Sequence, residues 1–173
     1  MTSISATDAP SASSSLLHAG VSPDAAAFIA ERHALLIDGA WRETTERIAV
    51  EDPATGATLT SIAAGAAADV DAAVEAAGRA FADRRWSGIT PAGRESILHA
   101  FAERIAADAD LLATVETLDN GKPISLSRTL DLPDAVRFAR YMAGWPTKID
   151  GRTMALSAEG APFGFTVAEP VGV

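Results

Sequence analysis

Apolar and polar positions change period along the chain, and the period sorts it into elements. Ser22-Pro23-Asp24 opens a run containing Ala26, Phe28, Ile29 and Ala30. A serine that can accept an N-cap hydrogen bond, followed by a proline suited to the first helical position, predicts a short helix to about His33. Leu35-Leu36-Ile37 and Ala40-Trp41 then flank Asp38-Gly39. Asp-Gly supplies the two positive φ angles of a tight hairpin turn. A second turn, Asp52-Pro53-Ala54-Thr55-Gly56, separates Ile48-Ala49-Val50 from Thr58-Leu59-Thr60-Ser61-Ile62. The opening therefore reads as a small meander of short strands.

The middle carries a helical period. Val70, Val74, Ala77 and Phe81 line one face of a helix over Ala67 to Ala82. Thr90-Pro91 opens a second helix, with Ile97, Phe101 and Ile105 as its expected buried stripe. Asp108 or Asp110 can cap a third, with Leu111, Val115 and Leu118 inward, and Asn120-Gly121 tolerates the left-handed C-cap that ends it. A fourth runs from Leu132 to Gly144 with Ala135, Phe138, Met142 and Trp145 aligned, and stops at Trp145-Pro146. Phe163, Phe165 and Val167 then alternate with Gly164, Thr166 and Ala168, the mark of a strand. Arg152 to Ser157 is its expected partner across Ala158-Glu159-Gly160. Residues 169–173, Glu-Pro-Val-Gly-Val, read as the start of a truncated buried strand, and residues 1–21, rich in Ser and Ala, as a disordered tail.

Composition narrows the chemistry. The chain has 173 residues, 48% hydrophobic and 21% charged, enough for one domain with a core. Its net charge of -9 disfavours a phosphate backbone, so nucleic acid is not an expected partner. No apolar run reaches membrane-span length, and the first arginine is Arg32, so neither a membrane nor a targeting leader is expected and the location expected is cytoplasmic. Cysteine is absent, which removes thiolate nucleophiles, thiolate metal sites and disulfides from this chain. There is no Gly-x-Gly-x-x-Gly, and Gly121-Lys122 lacks the upstream glycine of a phosphate loop. His18, His33 and His99 show no metal-ligand spacing. Asp119 beside Lys122 reads as an exposed ion pair.

Several ordered motifs nevertheless belong together. Leu118-Asp119-Asn120-Gly121-Lys122-Pro123, then Met142-Ala143-Gly144-Trp145, then Glu169-Pro170-Val171-Gly172-Val173 resemble the N-terminal third of the aldehyde dehydrogenase superfamily. Ile37-Asp38-Gly39-Ala40-Trp41 resembles its opening hairpin. The Asp52–Gly56 turn resembles its Asn-Pro-Ala-Thr-Gly, with Asp for Asn. Val70-Asp71-Ala72-Ala73-Val74, Phe81, Trp86 and Arg94 also match. The segment from Ser22 to His33 and the stretch from Ala143 to Ile149 lean toward the phenylacetaldehyde dehydrogenase-like branch.

The resemblance implies an α/β fold, incomplete here: residues 22–146 as the N-terminal part of an NAD(P)-binding domain, 147–168 as an oligomerisation hairpin, and 169–173 as a strand start. It implies an oxidoreductase that oxidises an aldehyde, such as phenylacetaldehyde, to a carboxylic acid with NAD or NADP, and that is a homo-oligomer when full length. The family's chemistry needs a cysteine, so the isolated chain is expected to be inactive and to bind no cofactor tightly, with no catalytic or cofactor-binding residue of its own. Three positions match family sites: Leu130 and Asp134 at the mouth of the substrate tunnel, and Asp119 as a ligand, with carbonyls near Val50 and Glu51, of a structural monovalent cation. The alternative is a non-catalytic scaffold that binds full-length subunits.

Overall fold

The computed structural model describes residues 21–173. The tail expected over 1–21 lies outside the described residues except for Val21, which packs against a cluster of Ala26, Ile29 and Leu59. Helix α1, Pro23–Ala30, starts as the sequence requires: the Ser22 hydroxyl accepts from the Ala25 N–H at 3.2 Å. Strands β1, Leu35–Ile37, and β2, Ala40–Arg42, pair antiparallel, with Asp38 at φ 54° and Gly39 at φ 74° forming the turn. Strands β3, Arg47–Glu51, and β4, Thr58–Ala63, pair across a turn whose Asp52 carboxylate accepts from the Ala54 N–H and the Thr55 hydroxyl.

These strands do not form the single meander that the pattern suggested. They make two separate two-stranded sheets, joined by one parallel bridge between His33 and Ile62. Arg47 fastens the junction. Its guanidinium donates to the His33 carbonyl at 3.2 Å, to the Ser61 carbonyl and hydroxyl, and to Glu43. A planar cation with five donors can serve several acceptors at once.

Helices α2, Ala67–Ala82, α3, Pro91–Ala107, and α4, Ala109–Asn120, follow. Thr90 caps α3 through the Gly93 N–H at 3.1 Å. Asp108 makes no side-chain cap for α4; its carboxylate binds Arg104 at 2.7 Å instead. A three-residue turn of helix, α5, Ile124–Leu126, leads into a π turn, Ser127–Asp131, and then α6, Leu132–Ala143. Strands β5, Thr153–Ala155, and β6, Phe163–Phe165, form the last hairpin in the register Met154 to Gly164. Residues 169–173, read as a strand start, take no strand conformation and are exposed. No helix among the described residues is long and apolar enough to cross a membrane.

Burial follows a different rule from the one periodicity suggested. The most enclosed positions are small: Ala25, Ala26, Ala102, Ala113, Ala143 and Ser127. Helix α3 packs along α6, where Leu132 and Val136 are buried and Arg140 holds Glu103 through two hydrogen bonds. Small side chains let two helix backbones approach. The stripes expected inward, Ile97 and Phe101 on α3, Val70, Val74 and Phe81 on α2, and Phe138 and Met142 on α6 with Trp145 just beyond its end, are exposed instead, Phe101 by 60% and Phe138 by 63%. A helical period identifies an apolar face but carries no information about what covers it.

Candidate functional site

The segment from Glu116 to Asp134 reverses the chain sharply. Helix α4 ends where Gly121 turns left-handed at φ 76°, its N–H donating to the Thr117 carbonyl. The Asn120 side chain accepts from the Lys122 N–H at 2.8 Å. The Asp52–Gly56 turn comes up against this reversal: a Cβ on Gly121 would sit 3.0 Å from Pro53 Cγ. Two motifs about 70 residues apart in sequence thus meet at a point where only glycine fits easily.

Lys122 is the polar centre of the region. Its ammonium donates to Glu116 at 2.8 Å and to Asp131 at 2.6 Å, with all three side chains about 30% exposed. The hydrogen bonds to Asp131 and then Glu116 hold the lysine above its ordinary titration range. The expected pair of Asp119 with Lys122 does not form, because the reversal at Gly121 swings Lys122 back toward α4 and the π turn.

The π turn was not foreseen. In it the Leu132 N–H reaches the Ser127 carbonyl, five residues back. Pro133 is the signal that sequence reasoning passed over. It has no N–H for the Thr129 carbonyl, and its ring would crowd that carbonyl in an α turn, which a wider turn relieves. Ser127 is fully buried, its hydroxyl 3.3 Å from that of Thr117.

Leu130 lies on this π turn and is 53% exposed. Asp134 stands in the first turn of α6, its carboxylate 2.8 Å from Arg137. These two share one end of α6. Asp119 is elsewhere: it rims a cavity of about 210 Å³ between α1, the β3–β4 hairpin and α4. Val50 lines the same cavity, and the strand register shifts between Val50 and Glu51. The remaining wall is mostly apolar, from Phe28, Ile29, Leu59 and Leu118. Among the described residues no cluster of three or more His, Cys, Asp or Glu could hold a metal ion.

Two further cavities, of about 350 and 390 Å³, open between α3, α4 and α6 and between β1 and α2. Their cations are already committed: Arg128 to Asp110, Arg140 to Glu103, and Arg85 to Asp83. A dinucleotide pyrophosphate needs a glycine turn at a helix N-terminus or uncommitted cations. Among the described residues, these two cavities offer neither and are not built for that pyrophosphate.

Residues 41–173 match the model of the aldehyde dehydrogenase family. The phenylacetaldehyde dehydrogenase of Pseudomonas fluorescens is 40% identical over 127 residues, 72% of this chain and 25% of that protein. The mitochondrial aldehyde dehydrogenase of Equus caballus is 37% identical over 142 residues, 80% of this chain and 28% of its own length. The structure of the NAD+ complex of an aldehyde dehydrogenase from Bacillus cereus superimposes with a TM-score of 0.81 at 32% identity, over 87% of this chain and 30% of that one. The chain spans about a quarter of the length of the curated relatives it matches.

Proposed function

The chain belongs to the aldehyde dehydrogenase family, and from that premise we propose that it is the N-terminal segment of an enzyme that oxidises an aldehyde to a carboxylic acid with NAD+ or NADP+. The observation that carries the reading is the superposition of 87% of the chain on a family member in complex with NAD+. An aromatic aldehyde of the phenylacetaldehyde type is the substrate favoured by the likeness to the Pseudomonas protein. This chain's own contribution is scaffold: it has no cysteine to attack a carbonyl, and no step is assigned to its residues.

Leu130 and Asp134 belong, in this reading, to the mouth of the substrate tunnel. Their support is their common place at the N-terminal end of α6 with Leu130 open to solvent. Asp119 supplies one ligand of a monovalent cation, supported by the cavity it shares with Val50. Hard cations take several oxygens, and the backbone carbonyls near Val50 and Glu51 would supply others. Residues 147–168 serve oligomerisation through the exposed faces of Phe163 and Phe165, in a cytoplasmic enzyme.

A second reading has its own observation. The apolar stripes on α2, α3 and α6 are exposed together, and a non-catalytic scaffold that docks on full-length subunits would present such faces. One experiment separates the two. The gene is read past Val173 and the encoded polypeptide is assayed for NADH formation with phenylacetaldehyde and with acetaldehyde, beside the 173-residue chain. The enzyme reading expects a downstream cysteine, turnover by the longer polypeptide and none by the chain alone. A stop codon directly after Val173, with no turnover, leaves the scaffold.

A further inference from the structure

We infer that Lys122 is a positioning residue, whose ammonium, shared between Glu116 on α4 and Asp131 at the end of the π turn, holds residues 127–131 in the π register and so fixes where Leu130 and Asp134 stand. The place of those two residues in a substrate mouth rests on the function proposed above; the clamp itself does not.

A π turn is an uncommon register. It makes its hydrogen bonds five residues apart, and it competes with the α register that the same residues can adopt. Here the competing state is well defined. The Leu132 N–H, now on the Ser127 carbonyl, would move to the Arg128 carbonyl. A shift of one residue turns Leu130 by about 100° relative to α6. It would also carry Ser127 out of its enclosed place beside Thr117.

Three features oppose that shift, beside the exposed 3.1 Å pair of Arg128 with Asp110. Pro133 removes one donor that the α register would use. The Thr117 and Ser127 hydroxyls meet at 3.3 Å, a long contact. Lys122 makes the short one, 2.6 Å to Asp131, while its second bond, 2.8 Å to Glu116, anchors the ammonium to α4. Charged hydrogen bonds of this length are about twice as strong as neutral ones. Lys122 is also outside the helix that it holds. The chain reverses at Gly121, so the lysine reaches Asp131 across nine residues of sequence. Lys122 is the one cation that Glu116 and Asp131 share, so loss of its ammonium leaves both carboxylates without their common partner.

The test uses the whole 173-residue chain with three substitutions, Lys122→Met, Lys122→Arg and Asp131→Asn. Hydrogen exchange is read at single amides, and global stability separately by denaturant. In Lys122→Met the protection of the Leu132 amide falls about tenfold, as charged hydrogen bonds of this kind warrant, while amides in the middle of α3 keep theirs. Lys122→Arg restores Leu132 to within about threefold, since it keeps the cation and its donors. Asp131→Asn, which is nearly isosteric, carries the same test if Lys122→Met does not fold. Unchanged protection at Leu132 in both Lys122→Met and Asp131→Asn overturns the inference. So does an equal loss throughout α3, which marks global destabilisation, or an arginine variant that behaves as methionine does. If the longer polypeptide shows no aldehyde oxidation, the substrate-mouth reading falls alone, because exchange reports the turn and not the chemistry.

Discussion

Replacing Gly121 by alanine probes the point where the two turns meet. Gly121 has φ 76°, and a Cβ there would lie 3.0 Å from Pro53 Cγ and 3.7 Å from Pro53 Cβ. Left-handed backbone costs an L-residue about 1–2 kcal/mol. Carbon contacts are optimal near 3.5–4.0 Å, so the nearer approach adds crowding on the order of 1 kcal/mol. Alanine also restricts the unfolded chain, which offsets roughly 0.4–1 kcal/mol. The net expectation is a loss of about 2 kcal/mol, read by urea unfolding followed through tryptophan fluorescence. Gly121→Asn meets the same contact but tolerates the left-handed conformation, so it loses less than alanine. Adding Pro53→Ala to Gly121→Ala recovers roughly the crowding part, about 1 kcal/mol, as coupling between contacting sites. A Gly121→Ala midpoint indistinguishable from wild type, or strict additivity with Pro53→Ala, would refute the packing of the two turns.

Three other outcomes follow from the same structure. Ala102→Leu forces a large side chain into a fully enclosed position on α3 and lowers stability by about 1–3 kcal/mol, again by urea unfolding. Arg47→Met removes the donors that serve the His33 and Ser61 carbonyls; amide exchange of Ala63, which donates to His33, speeds up, while exchange in α6 does not change. Lys122 has its pKa raised by Asp131 and Glu116, so its contribution is complete at neutral pH and is lost as pH rises through and beyond the usual lysine range. Stability measured over about pH 9–12 therefore falls more steeply in wild type than in Lys122→Met, and parallel curves would exclude a folded-state ion pair.

Much of the local structure is legible in the sequence because its causes are local. Ser22-Pro23 and Thr90-Pro91 start helices through their own hydroxyls and fixed φ. Asp38-Gly39 closes a hairpin by its own conformational preference. Gly121 ends α4 because it alone pays no penalty for the left-handed cap. The ordered motifs likewise carry the family likeness, because each is a contiguous run of residues. Tertiary structure decided the rest. Which helix face is buried depends on partners distant in sequence: on α6, Leu132 and Val136 go inward against α3, while Phe138 and Met142, equally periodic, stay exposed. The strands separate into two sheets, and the junction between them is tied by Arg47 reaching the His33 and Ser61 carbonyls, distant in sequence. The choice of Asp131 rather than Asp119 as the partner of Lys122 exists only after the chain has reversed. Conformational preference is a property of a residue and its neighbours, so it can be read in order; burial and charge pairing are properties of the folded space, and no single position along the chain contains them.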